Sequence, residues 1–118
     1  MRKLALFLTI FVLSAPLHAS DDWSTTSKLA FSLTLTSFAL DAYSTHRFLA
    51  KEGTYETNPL LGKHPGDGKI IAYFACYSAL TWILGDFMPD KWRPYLFLGV
   101  AAAELKASAH NFSIIFNW

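Results

Sequence analysis

Three long apolar segments, separated by polar stretches rich in proline and glycine, follow the N-terminal part of this chain. Apolar residues recur in them at helical spacing, and no run shows the period of two that a strand requires. Asp67 is placed to cap the second segment, and Pro94 opens the third, a position where proline is well tolerated. The pattern predicts an all-α fold, a small helical bundle with helices at about 28–50, 68–85 and 94–116.

The N-terminal part has the layout of an export signal. Arg2 and Lys3 precede the apolar run LALFLTIFVLSAP, and LHA then offers a cleavage point after Ala19. The run is shorter than the about 20 residues that a comfortable membrane span needs. We therefore expect a signal peptide at 1–19, with an uncleaved anchor as the alternative, followed by a single helical membrane domain at 20–118.

Each predicted helix has about the length of a bilayer span, which needs about 17 to 25 residues. The second segment, IIAYFACYSALTWILG, carries no charge, whereas the first and third carry Asp41 and Glu104 near their middles. A lone charge at such a position costs about 2.5 to 3.5 kcal/mol on insertion scales, so these two helices would need each other. We predict three transmembrane helices, and a secreted soluble helical bundle is the alternative.

Basic residues are concentrated around the connection between the first and second helices. Four of them flank or occupy residues 51–68, whereas the next connection carries two. The positive-inside rule therefore places the loop at 51–68 in the cytoplasm and the protein in a bacterial inner membrane. The expected partners are the lipid bilayer and either a second copy of the chain or another membrane protein.

Composition narrows the classes of function. Hydrophobic residues make up 53% of the chain, charged residues 16%, and the net charge is +1, so the broad basic surface of a nucleic-acid-binding protein is missing. Cys76 is the single cysteine, which excludes an internal disulfide and a zinc site built from cysteines. No phosphate-binding loop, His-Glu-x-x-His motif or Gly-x-Ser-x-Gly motif occurs. We expect no cofactor and no metal, and the sequence favours a non-enzymatic role.

Two of the predicted helices carry a stripe of polar residues on one face, at spacings of three and four. If the stripes face each other across the bundle, their acidic residues meet at mid-depth, where two bare charges are not stable. Either one carboxyl is then protonated or a cation joins the pair, as in a proton- or ion-linked site. The alternative is a polar network that only fixes helix packing. The buried polar candidates are Asp41, Thr45, Glu104, Ser108 and Asn111.

The stretch YETNPLLGKHPGDGK is the most distinctive loop of the chain. Asn58 can cap a turn, Pro59 can start it and the two leucines that follow can bury. Gly62 can end the turn in a left-handed conformation, and Pro65 turns the chain again. Turn geometry does not require Glu56, which is therefore the remaining candidate for a functional residue in this loop.

The stretches LDAYSTHRFL, YETNPLLGKHP and MPDKWRPYLFLGVAAAEL together resemble a family of small proteins encoded by tailed bacteriophages and prophages. The family pattern joins Asp-x-x-x-Thr on a helix to Glu-Thr-Asn-Pro-[Ile/Leu]-Leu-Gly-x-His-Pro in a loop. The resemblance covers most of the chain after the export signal and is most specific in the loop. It implies an exported or membrane-bound protein and points to no particular activity.

These observations leave several functions to compare. The favoured one is a small integral inner-membrane protein of phage or prophage origin with a structural or interaction role in the cell envelope. A membrane-embedded hydrolase or ion-linked site built on Asp41, Glu56 and Glu104 is one alternative. A holin-like lysis protein and a secreted soluble bundle are the others.

Overall fold

A computed structural model describes Leu6 and residues 22–116 of the chain. Three α-helices are present, with no strand among the described residues, so the predicted all-α class and helical bundle are confirmed. The predicted helix ends lie within three residues of the observed ones. Apart from Leu6, the predicted signal peptide at 1–19 lies outside the described residues. The helices are α1 (Thr25–Leu49), α2 (Asp67–Phe87) and α3 (Arg93–Phe116).

Local sequence explains where the first two helices begin. Ser24 is the N-cap of α1, and its hydroxyl oxygen accepts the backbone N–H of Ser27 at 3.1 Å. The prediction that Asp67 caps α2 is wrong, because Gly66 is the N-cap and Asp67 is the first helical residue. The carboxylate of Asp67 instead lies 2.6 Å from Nδ1 of His46 on α1. It still lies at the positive end of the helix dipole, which favours a negative charge.

Aromatic rings fill the part of the core nearest the connection between α2 and α3. The rings of Trp23, Phe31 and Phe97 meet with centroids 5.0 to 5.4 Å apart. Further along α1, Phe38 packs against Phe74 of α2 at 6.2 Å. These rings join all three helices into one core, in which α1 is central and packs chiefly against α3.

The face of α1 that meets the other helices is rich in small polar side chains. Thr34, for example, donates its hydroxyl hydrogen bond to the carbonyls of Ala30, at 2.9 Å, and Phe97, at 2.7 Å. Hydroxyls that are satisfied by helix carbonyls take little space and let two helices approach closely. The buried polar residues of α1 are Ser27, Thr34, Ser37, Asp41, Ser44 and Thr45.

Large apolar side chains are exposed on all three helices, which reverses the usual arrangement of a soluble bundle. Among the described residues α2 is the one helix long and apolar enough to cross a membrane, with a mean hydropathy of 1.4 over its best window. The polar stripes lower the hydropathy of α1 and α3. The exposed apolar residues include Leu29, Leu33 and Leu40 on α1, Leu80, Ile83 and Leu84 on α2, and Leu98, Leu105 and Phe116 on α3.

Arg93 organises the short connection between α2 and α3. The side chain is only 4% exposed, and its guanidinium donates to the carbonyls of Gly85 at 2.6 Å and Met88 at 2.7 Å. It also donates to Oδ1 of Asp90 at 2.7 Å and lies 4.9 Å from the centroid of the Trp23 ring. A buried guanidinium is tolerated here because several acceptors and an aromatic face surround it.

Asp90 and Asp86 fasten this connection to the start of α1. Oδ1 of Asp90 accepts the backbone N–H of Ser24 at 3.0 Å and the Ser27 hydroxyl at 2.8 Å. These two hydrogen bonds hold the pKa of the Asp90 carboxyl below its usual value, and the bond from the Ser24 N–H has the larger effect. The indole N–H of Trp23 donates to Oδ1 of Asp86 at 3.0 Å. We call these contacts, together with those of Arg93, the clasp.

Gly85 allows α2 and α3 to approach each other beside the clasp. A Cβ at this position would lie 2.6 Å from Cε1 of Phe97, whose side chain is fully buried. We expect Gly85→Ala to lower the free energy of unfolding by about 1 to 3 kcal/mol, because an overpacked core has to shift. Denaturant unfolding followed by circular dichroism measures the change.

The matched control is Gly99→Ala, at a helical glycine with no atom within 4 Å of the added Cβ. Alanine is the better helix former by about 1 kcal/mol, so this variant should be at least as stable as the wild type. Equal stability of the two variants would contradict the close packing of Gly85 against Phe97.

Candidate functional site

Asp41 of α1 and Glu104 of α3 lie close to each other at the interface of the two helices, where each carboxyl acts on the other. Asp41 is 8% exposed. Oε2 of Glu104 is buried and receives no hydrogen bond from a donor in the described residues. Two carboxylates close together and away from water repel each other, which favours either a proton on one of them or a cation beside the pair.

Asn111 of α3 holds the Asp41 carboxyl in place. Its side-chain Nδ2 lies 3.1 Å from Oδ1 of Asp41, 3.0 Å from Oγ of Ser44 and 3.1 Å from Oγ1 of Thr45. The Thr45 hydroxyl also donates to Oδ1 of Asp41, at 3.3 Å. The amide therefore orients three polar side chains of α1 from across the interface.

Ser108 has a different role from those of the other two candidates on α3, Glu104 and Asn111. It is buried, but its hydroxyl donates to the carbonyl of Glu104 on its own helix, at 2.9 Å. Ser108 therefore lies between Glu104 and Asn111 without joining the network around Asp41. A small satisfied side chain at this position lets α1 and α3 come close enough for the other contacts.

The loop between α1 and α2 is tied to α2 through Asn58. Nδ2 of Asn58 donates to the Tyr73 hydroxyl oxygen at 3.0 Å. Oε1 of Glu56 accepts the backbone N–H groups of Thr57, at 2.9 Å, and Asn58, at 2.8 Å. The side chain that turn geometry did not explain therefore helps to order the start of the turn.

The turn that begins at Asn58 has the predicted chemistry, with one exception. Oδ1 of Asn58 accepts the N–H of Leu60 at 3.0 Å, Pro59 follows the cap, and Gly62 ends the turn with a φ of 77°. Leu61 is 3% exposed but Leu60 is 68% exposed, so the prediction that both leucines bury is wrong. Successive side chains of a helical turn point about 100° apart, and one of the two has to face outward.

A cavity of about 190 Å³ lies where α1, α2, α3 and this loop come together. A water molecule occupies about 30 Å³ of liquid, so the cavity has room for several waters or a small solute. Glu56 lines it and is close enough for its charge to act on Asp41. Pro65, in contrast, is half-buried beyond the cavity, just before the N-cap of α2. The polar lining includes Asp41, Thr45, Glu56, Asn58, Tyr73, His110 and Asn111.

Two pairs among the three predicted acids therefore lie near each other. Asp41 and Glu104 are close enough to act on each other, and Asp41 and Glu56 line the same cavity. Among residues 22–116 no group of three or more histidine, cysteine, aspartate or glutamate side chains is placed to hold a metal ion. The arrangement places two neighbouring carboxyls next to a space that can admit water, which is suited to holding a proton.

Tyr73 belongs to the site but was absent from the candidates drawn from the sequence. It lies on α2, lines the cavity and receives the hydrogen bond of Asn58. The sequence separation between Tyr73 and Asn58 does not predict their contact, because the loop between them is irregular. The hint in the sequence is that Tyr73 lies in an uncharged, largely apolar segment, where a tyrosine hydroxyl needs a partner.

Comparison of the chain with protein-family models, with curated proteins and with solved structures found no match. The resemblance to phage and prophage proteins therefore stays a prediction.

Asn111→Ala should destabilise the bundle by about 1 to 3 kcal/mol, because it leaves buried polar groups of Asp41, Ser44 and Thr45 short of a donor. Ser113→Ala is the matched control, since it removes an exposed hydroxyl from the same helix and should change little. Denaturant unfolding of the purified variants in detergent makes the comparison. A loss of similar size in both variants would contradict the role given to Asn111.

Proposed function

We propose that the chain is a small integral protein of the bacterial inner membrane, of phage or prophage origin, with an interaction role in the cell envelope. One observation carries the proposal: polar side chains face the interior of the bundle while large apolar side chains cover the outside of all three helices. In lipid, outward leucines need no cover, and inward hydroxyls help the helices to associate.

The lengths of the helices support three spans. α1 has 25 residues and α3 has 24, or about 36 to 38 Å at 1.5 Å per residue. That exceeds a hydrocarbon layer of about 30 Å. Polar residues such as Asp41 and Asn111 lower the average hydropathy of α1 and α3. These two side chains face each other, so they would not contact lipid. Intramembrane polar groups of this kind are expected to point into a bundle and to pair there.

The charge distribution supports the proposed orientation. Lys51, Lys63 and Lys69 lie at the end of the bundle that carries the loop between α1 and α2. At the other end Trp92 and Tyr95 are exposed, with ring centroids 5.9 Å apart, as expected at a membrane interface. The positive-inside rule then places the loop at 51–68 in the cytoplasm and the clasp on the opposite side.

Expression in a bacterial host, followed by alkaline carbonate washing of the membranes, tests integration. We expect the protein to stay in the membrane pellet. Single cysteines in a Cys76→Ser background test orientation, because both chosen positions are exposed. A membrane-impermeant maleimide should label Lys91→Cys in intact spheroplasts and Glu52→Cys only after permeabilisation. Release into the carbonate supernatant would contradict the membrane assignment, and the reverse labelling would contradict the orientation.

A second function is favoured by the proximity of Asp41 to Glu104 and by the cavity that Asp41 and Glu56 line. We infer that the pair of Asp41 and Glu104 holds one proton at neutral pH. The cavity beside Glu56 gives that proton a polar route toward the loop, and Asn111 keeps Asp41 in position to share it. The bundle would then be a proton-linked membrane site. The hydrolase and holin-like alternatives stay predictions.

Infrared spectroscopy of the protein in lipid tests this inference directly. A protonated carboxyl has a carbonyl stretch that a carboxylate lacks, and we expect this band in the wild type at neutral pH. It should disappear in the Asp41→Asn, Glu104→Gln double variant and remain in Glu52→Gln, which changes an exposed carboxyl of the loop. A wild type without the band, or a double variant that keeps it, would overturn the proton-linked site.

A further inference from the structure

Lys106 lies on the outer face of α3, opposite the face that carries Glu104. It is exposed and takes part in no ion pair within the part of the chain that the structure describes. It is the fourteenth of the 24 residues of α3. At 1.5 Å per residue it lies about 15 Å from the C-terminal end of the helix, near the middle of a hydrocarbon layer about 30 Å thick.

A lysine at this depth that faced lipid would be costly, by about 2.5 to 3.5 kcal/mol on insertion scales. Lysine side chains near helix ends reach the interface, but Lys106 is far from both ends. Glu104 cannot neutralise it, because two residues along a helix point about 200° apart. Lipid phosphates lie at the membrane surface, about 15 Å away along the helix.

The surface around Lys106 allows another helix to come close. Apart from His110, which lies one turn further along the same face, its neighbours there are small, exposed and spaced three or four residues apart. Small residues at such spacing let two helix backbones approach within a membrane. We call this surface the Lys106 face; it consists of Gly99, Ala102, Ala103, Lys106 and Ala109.

We propose that the Lys106 face docks a transmembrane helix of another membrane protein, which presents an aspartate or glutamate side chain to Lys106 at mid-depth. The proposal rests on the three-span arrangement proposed above and names the kind of partner. Charge complementarity selects the occupant, because a carboxylate on the partner helix removes the cost of the unpaired ammonium group. The small neighbours of Lys106 let that carboxylate come within hydrogen-bonding distance.

A second copy of the chain does not fit the same requirement. In a two-fold dimer of parallel helices that met through this face, Lys106 would approach Lys106 of the other copy, and like charges repel. Asp41 and Glu104 face the interior of their own bundle. Among the described residues of α2, the acidic side chains Asp67 and Asp86 lie at the ends of the helix, far from the depth of Lys106.

The test uses the full chain in phosphatidylcholine vesicles and designed transmembrane peptides of leucine and alanine. One peptide carries a single aspartate at its centre, and a matched peptide carries leucine there. Energy transfer from a label at Glu52→Cys, in the Cys76→Ser background, to the labelled peptide measures association. We expect about tenfold tighter association with the aspartate peptide, the size of effect that interhelical polar contacts give.

Lys106→Leu should remove the preference for the aspartate peptide, and Lys91→Leu, at an exposed lysine of the short connection, should keep it. Lys106→Glu should instead prefer a peptide with a central lysine. Circular dichroism and retention in carbonate-washed membranes establish that each variant is folded and inserted. A failure of wild-type retention would refute the membrane assignment, which is a different outcome from failed peptide binding.

Two results would overturn the proposed partner. One is equal association of the wild type with the aspartate and leucine peptides, or a preference that Lys106→Leu retains. The other is energy transfer between two differently labelled copies of the chain that Lys106→Leu abolishes, since the occupant would then be a second copy. Preference for the aspartate peptide without such self-association supports an acidic helix of another protein.

Discussion

The bundle depends on bringing Asp41 and Glu104 together away from water. Two buried carboxylates that approach each other are unfavourable unless a proton or a cation joins them, so the pairing of α1 and α3 carries a chemical constraint. Asn111 donates the hydrogen bond that holds Asp41 in place. The small side chain of Ser108 lets α1 and α3 come close enough for Asp41 to approach Glu104. The acidic pair thus lies at the interface between α1 and α3, beside the aromatic core that also joins the helices.

The same constraint explains why the outside of the molecule is apolar. Many polar side chains of the bundle make internal contacts, and leucine, isoleucine and phenylalanine side chains lie on its surface. In water such a surface would drive aggregation, whereas in lipid it is the ordinary solvent-facing surface. Lys106 departs from this pattern on α3, and this is why we propose a protein neighbour at that position.

The sequence was sufficient for the parts of the structure that local pattern controls. Helical periodicity predicted the three helices, and the spacing of polar residues put Asp41 and Glu104 on facing stripes. The Asn58 turn followed from the properties of asparagine and glycine. Other contacts could not be predicted: Arg93 and Asp90 look like polar residues of an ordinary connection, and their partners at Trp23 and Ser24 are more than 60 positions away. Glu56 reaches the cavity along an irregular loop that no periodicity describes.

The clasp has a consequence for how the chain folds during synthesis. Ser24 and Ser27 form hydrogen bonds with Asp90, and Asp41 forms one with Asn111. In each pair the second residue follows the first by 63 to 70 positions. The N-terminus of α1 therefore leaves the ribosome long before these partners are available, whereas its packing against α2 involves residues that follow sooner. Completion of the bundle has to wait until the last helix is available, as in proteins of high contact order.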